Sequence, residues 1–251
     1  MAAQNKGYLK IENHCFHWYI FFQVALGYLK FYLPLPKSFM PPSLTWHTFP
    51  TPAAQAAALA EAIANSLRDC LHTQGRAVLA VSGGRSPVAF FEALAQQKLD
   101  WPRITITLVD ERLVPPQHAD SNAALVRRHL LQHAAAAARF LPLVGEQTDV
   151  SDPAAALAEA EAAFPTPDIA VLGMGADGHT ASLFPQAPQL TAAVSPECCS
   201  KLVHTSPITA AHERIGMSLN ALAAVPQLFL SIQGADKRSV LEQAVATPSS
   251  E

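Results

Sequence analysis

The apolar positions of this chain follow two rhythms. Ala77 to Val81 and Ile169 to Leu172 are short unbroken apolar runs, Ile104 to Val109 alternates β-branched residues, and Gln227 to Ile232 has a similar length; all four read as strands of a buried sheet. Between them, apolar residues recur every three or four positions. Thr51 and Pro52 open an alanine-rich helix that runs to about Leu71, with Leu59, Ile63 and Leu67 on one face and Gly75 as its stop. Further helices are predicted over Val88 to Ala95, over Asn122 to Leu131 with Ser121 as cap, from Asp152 and Pro153 to near Phe164, over Ile215 to Ala224 and over Lys237 to Ala246. Lys201 to Thr205 is a weaker strand, and the alanine run Ala134 to Ala138 carries little beyond helix propensity. Strands alternating with helices predict an α/β fold: a mostly parallel sheet with right-handed crossovers and helices on both faces.

In such sheets ligands bind beyond the carboxyl ends of the strands, and the chemistry of this chain lies there. The run Ile169 to Leu172 breaks into Gly173, Gly175 and Gly178, with Asp177, His179 and Thr180 within the same turn. Histidine is the side chain best suited to exchanging a proton near neutral pH, so His179 is either a catalytic base or a residue that merely caps the next segment. After Val81 comes SGGRSP, where Ser86 is a candidate cap and Pro87 a candidate first-turn residue of the following helix. Ser82, Gly83 and Gly84 then sit at a helix N-terminus, whose unpaired N–H groups and dipole favour a phosphate over an ordinary turn.

Asp110, Glu111 and Arg112 follow a strand and precede the long irregular connection LVPPQHADSN, which has the form of a lid or binding loop. Charges are costly to bury unpaired, so these three face a wet cleft or one another. The fork of Arg112 suits phosphate or carboxylate oxygens, while Asp110 and Glu111 fit a structural role, bonding loop backbone or holding Arg112. Lys237, in GADK, stands at another strand-to-helix junction, as a phosphate partner or as a solvated lysine. One sheet would bring all four turns to one rim: an anion cradle, two cations and a base.

Composition narrows the options. The 251 residues suffice for one large α/β domain, and a net charge of -3 with scattered Lys and Arg gives no footprint for nucleic acid. Cys15, Cys70, Cys198 and Cys199 form no C-x-x-C pair, which predicts a reducing, cytoplasmic setting without disulfides or a structural metal. The greasy stretch from Phe16 to Leu29 is 14 residues long and contains His17 and Gln23, short of the roughly 20 apolar residues of a membrane span. No small-x-small cleavage site follows it; Pro34, Pro36, Pro41 and Pro42 do. Residues 1–43 are therefore expected to be an extension and proline-rich linker outside the fold, with upstream sequence joined to a true start near Leu44 as a further hypothesis.

VSGGRSP, VDERLVPPQHADSN, LGMGADGHTASLFP and GADK together resemble the 6-phosphogluconolactonases, within the wider group that includes glucosamine-6-phosphate isomerase/deaminase. The resemblance covers about Trp46 to Ala246 and makes 44–251 the catalytic domain. It implies a Rossmann-like, sugar-phosphate isomerase/deaminase-like fold and hydrolysis of 6-phospho-D-glucono-1,5-lactone to 6-phosphogluconate, without metal or nucleotide cofactor. It places the general base on His179, with Asp177 orienting that ring or the loop, and on Arg112 a cation that either stabilises the developing oxyanion or clamps the phosphate. Phosphate binding falls on Ser82, Gly83, Gly84, Arg85 and Lys237, with Arg214 a weaker candidate because Gly216 stands where the family usually has Thr or Ser. Family members usually continue into one more strand beyond the last helix, so a sheet edge is expected to be exposed here. A glucosamine-6-phosphate deaminase/isomerase and a non-catalytic sugar-phosphate-binding remnant are the alternatives; no membrane or nucleic-acid partner is expected.

Overall fold

The computed structural model describes residues 6–12 and 44–246. Ten strands run in chain order as β1 (Lys6–Glu12), β2 (Leu44–Phe49), β3 (Ala77–Val81), β4 (Ile104–Leu108), β5 (Asp110–Arg112), β6 (Arg139–Leu141), β7 (Ile169–Leu172), β8 (Leu202–Thr205), β9 (Arg214–Met217) and β10 (Gln227–Gln233). The helices are α1 (Pro52–Gln74), α2 (Val88–Ala95), α3 (Asn122–His129), α4 (Pro153–Ala163), α5 (Leu190–Ala193), α6 (Leu219–Ala223) and α7 (Ala235–Ala246).

The main sheet has the order β2-β1-β10-β7-β3-β4-β6, and its five strands from β10 to β6 are parallel. β3 and β7 are buried along their whole length, which is why they read as unbroken apolar runs rather than as alternating ones. α1 packs on this sheet through Leu59, Ile63 and Leu67, all essentially inaccessible to solvent. Its ends follow the sequence signals: the Thr51 hydroxyl accepts from the Ala54 N–H, Pro52 occupies the first turn, and Gly75 closes the helix at φ +74°. Ser121 and Asp152 cap α3 and α4 in the same way.

Several expectations need correction. Residues 6–12, expected outside the fold, form β1, which pairs antiparallel with both β10 and β2; the rest of the 1–43 segment lies outside the described residues. The edge of β10 that was expected to be exposed is consequently covered, along seven residue pairs from Lys6–Gln233 to Glu12–Gln227. Asp110–Arg112 is not the end of a long strand but a strand of its own, in a second, antiparallel sheet ordered β5-β9-β8. The expected helix over 215–224 is half strand: Arg214–Met217 pairs with β5 and β8, and only then does Ser218 cap α6. Ser86 does not cap α2; Pro87 holds the N-cap position, and no side chain caps that terminus.

Candidate active site

One cavity of about 240 Å³ lies at the carboxyl ends of the parallel strands. Ser82, Gly83, Gly84 and Arg85 line it from the β3–α2 turn, Arg112 from β5, His179 from the turn after β7, and Lys237 from the first turn of α7. The tertiary structure thus brings together seven of the residues singled out by sequence, from four separate turns. Asp177 is not on the wall but stands behind it, bonded to His179. Arg214 is not on the wall either: it is buried, its guanidinium donates to the Ala211 carbonyl, and it lies 5.9 Å from the centre of the Phe184 ring.

The β3–α2 turn offers backbone. Gly84 takes φ +91°, a conformation that a side chain would strain, and the following helix has a terminus that no side chain covers. Gly83 is needed for a different reason, since a Cβ there would overlap the Asn122 carboxamide. Asn122 also lines the cavity; its Nδ2 donates to the Asp110 carbonyl at 2.8 Å, while its buried Oδ1 has no hydrogen-bond partner among the described residues. Sequence reasoning passed over Asn122 because it follows a capping serine and reads as a plain first-turn residue.

The turn after β7 offers side chains. His179 Nδ1 lies 2.5 Å from Asp177 Oδ1, and its ring stacks on Phe184 with centroids 4.1 Å apart. A carboxylate can only accept, so the bond calls for Nδ1–H and leaves the lone pair on Nε2 of a ring that faces the cavity. The loop is fixed by its own bonds, from Gly175 N–H to the His179 carbonyl at 2.8 Å and from the Thr180 hydroxyl to the Gly173 carbonyl at 2.7 Å. Ala181 and Ser182 both adopt left-handed backbone, and this strain is held by the Ser182 hydroxyl donating to Asp110 Oδ2 at 2.5 Å and by Thr205 donating to the Ser182 carbonyl. Gly216 lies directly beneath: a side chain there would run into the Ala181 carbonyl, which accounts for glycine at this position of β9.

The DER strand is supported from inside. Glu111, wholly buried, accepts the N–H groups of Arg112, Asn122 and Ala123 at 2.7–2.8 Å and the Ser121 hydroxyl at 3.2 Å, tying β5 to the start of α3. Burial pushes its pKa up, against the pull of those three N–H groups, and the nearby Asp110 charge adds to the rise. Arg112 is steered by a hydrogen bond to the Asp120 carbonyl and faces Arg214 across the strand pair. Burial, then the Arg112 charge, lower the pKa of Arg214 from the ordinary arginine value. Lys237 Nζ donates to the Met174 carbonyl at 2.6 Å, which anchors the ammonium beside the glycine turn of β7.

Residues 50–251 match the family model described as glucosamine-6-phosphate isomerases/6-phosphogluconolactonase. The chain belongs to that family. Among its relatives, a 6-phosphogluconolactonase of Neisseria meningitidis is 49% identical over 201 residues, 79% of this chain and 87% of the relative. One from Pseudomonas aeruginosa is 49% identical over 202 residues, covering 77% and 82%. The crystal structure of a 6-phosphogluconolactonase from Shewanella baltica is 39% identical and superposes with a TM-score of 0.73 over 78% of this chain and 84% of that one. The family's fold is therefore the one described above, a parallel α/β sheet flanked by helices.

Proposed function

We propose that this chain hydrolyses 6-phospho-D-glucono-1,5-lactone to 6-phosphogluconate in the pentose phosphate pathway, with His179 as general base. Family membership and the close curated relatives support the reaction. The observation that carries the assignment of roles is the Asp177–His179 pair on a cavity that also holds a glycine turn at a helix N-terminus and the cations Arg112 and Lys237.

A δ-lactone carbonyl is already electrophilic and its leaving oxygen stays tethered, so the reaction needs a placed water, a base and modest charge stabilisation. His179 Nε2 takes a proton from water as the water oxygen bonds to C1. The tetrahedral intermediate then breaks its bond to the ring oxygen, which receives the proton back from the imidazolium and becomes a hydroxyl. Asp177 keeps the ring in the required tautomer and stabilises the imidazolium. Base catalysis of this kind is worth roughly 10²- to 10⁴-fold. The backbone of Ser82, Gly83 and Gly84, with Arg85 and Lys237, binds the phosphate, and that remote binding energy orients the ring. Arg112 supplies positive charge to the carbonyl oxygen as it becomes anionic; Arg214, buried next to it, adds to the local potential rather than touching the ligand.

The cytoplasm is the proposed compartment, and 44–251 is the proposed catalytic domain. No helix among the described residues is long and apolar enough to cross a membrane. The test follows lactone hydrolysis above its spontaneous rate with the intact chain and with His179→Ala. Equal rates would remove the general-base role, and ammonia release from glucosamine 6-phosphate would move the reaction to the deaminase side of the family.

A further inference from the structure

Outside the cavity, two loops bring together three side chains with the donor set of a transition-metal site. His118 and Asp120 lie on the connection between β5 and α3, and His212 lies just before β9, 92 positions further on. His212 Nε2 is 3.0 Å from Asp120 Oδ2, and His118 Nδ1 is 3.8 Å from the same oxygen. The two imidazole rings stand edge to face with centroids 5.4 Å apart. One ligand atom from each residue lies within 4.8 Å of the other two, and among the described residues this is the one cluster of its kind. We propose that His118, Asp120 and His212 bind a divalent transition metal of the zinc class, as a clasp between the two loops.

The donors select the metal. Two imidazoles and one carboxylate suit zinc, cobalt or nickel, whereas magnesium and calcium prefer oxygens throughout. At metal–ligand distances of about 2.0–2.1 Å the donors of a tetrahedral site stand roughly 3.3 Å apart, so donors that lie within 4.8 Å of one another have to close by up to about 1.5 Å. His118 and Asp120 are exposed, and His118 Nδ1, which accepts the Asp120 N–H at 3.1 Å, would exchange that bond for one to the metal. Three protein ligands leave a fourth position for water, as in exchangeable sites rather than closed structural ones. His212 enters with φ +69°. The opposing charge is Arg112, which the Asp120 carbonyl already engages. A bound metal would therefore fix the residue that steers Arg112, linking the clasp to the cavity wall without entering it.

The experiment uses the full chain, stripped with chelator and titrated with zinc by calorimetry and with cobalt by visible absorption. The expected result is about one zinc per chain and cobalt bands of a four-coordinate nitrogen and oxygen site. Losing a ligand costs at least as much as losing a residue that supports one, so His118→Gln and His212→Gln should each weaken zinc by about 10- to 100-fold or more, and the double variant should lose it. His204→Gln, in the separate His204–Glu213 pair, should bind as the parent does. Circular dichroism establishes that each variant is folded, and Asp120→Asn replaces any that is not. Failure of the parent to bind zinc, or unchanged binding in the folded double variant, would overturn the proposal; neither result bears on lactone hydrolysis, which is assayed separately.

Discussion

The turns after β3 and after β7 look alike in sequence, each a buried strand breaking into glycines, yet they present the cavity with different things. After β3, glycine strips the turn of side chains: Gly84 reverses the backbone, Gly83 lets Asn122 close on it, and an uncapped helix start is left to face the cavity. After β7, glycine makes room for side chains: a Cβ on Gly175 would collide with His179 and Asp177, so the glycine is what lets the pair fold over it. A glycine-rich loop is therefore not one kind of site. Its function depends on whether the space that glycine frees is given to the ligand or to a neighbouring side chain.

The comparison can be broken by experiment. His179→Ala should lower kcat for lactone hydrolysis by about 10²- to 10⁴-fold while leaving binding of a phosphorylated ligand largely intact. Gly175→Ala should act in the same direction, by about 10²-fold, because a displacement of an ångström at the base is enough; Gly83→Ala should instead raise KM. Steady-state kinetics on the two glycine variants decides the matter, and the same kcat-to-KM pattern for both would erase the distinction. Glu111→Ala removes the acceptor for three buried N–H groups and should destabilise the fold by about 3 kcal/mol, read by urea unfolding, with Glu111→Gln costing less. The smallest effect is expected from Lys237→Ala, a rise in KM of about tenfold with kcat little changed, since the ammonium adds one charge-assisted contact to a cradle made largely of backbone.

Much of this was legible because the signals were local. The apolar runs of β3, β7 and β10, the Thr51, Ser121 and Asp152 caps and the Gly75 stop each follow from a few adjacent residues and held in the structure. Glu111 also did what the cost of burying a charge requires, by bonding loop backbone. What escaped was pairing. β5 and β9 are three and four residues long and carry Arg112 and Arg214 in register, so neither has the alternation of a strand. Residues 215–217 were drawn into a helix by the apolar alanine-rich stretch behind them. Lys6–Glu12 was set aside for its foreign surroundings, and only the open edge of β10 shows why it takes up a strand.

The sequence alone determined the parallel α/β core, the family and the types of residue available for chemistry, because periodicity, capping and motif wording are properties of neighbouring positions. Only the tertiary structure decided that Arg214 is turned away from the cavity while Arg112 lines it, and that His118 and Asp120 meet His212 at all. Those relations depend on distances between segments tens of residues apart, and such distances are set by how sheets and loops pack, which no local pattern encodes.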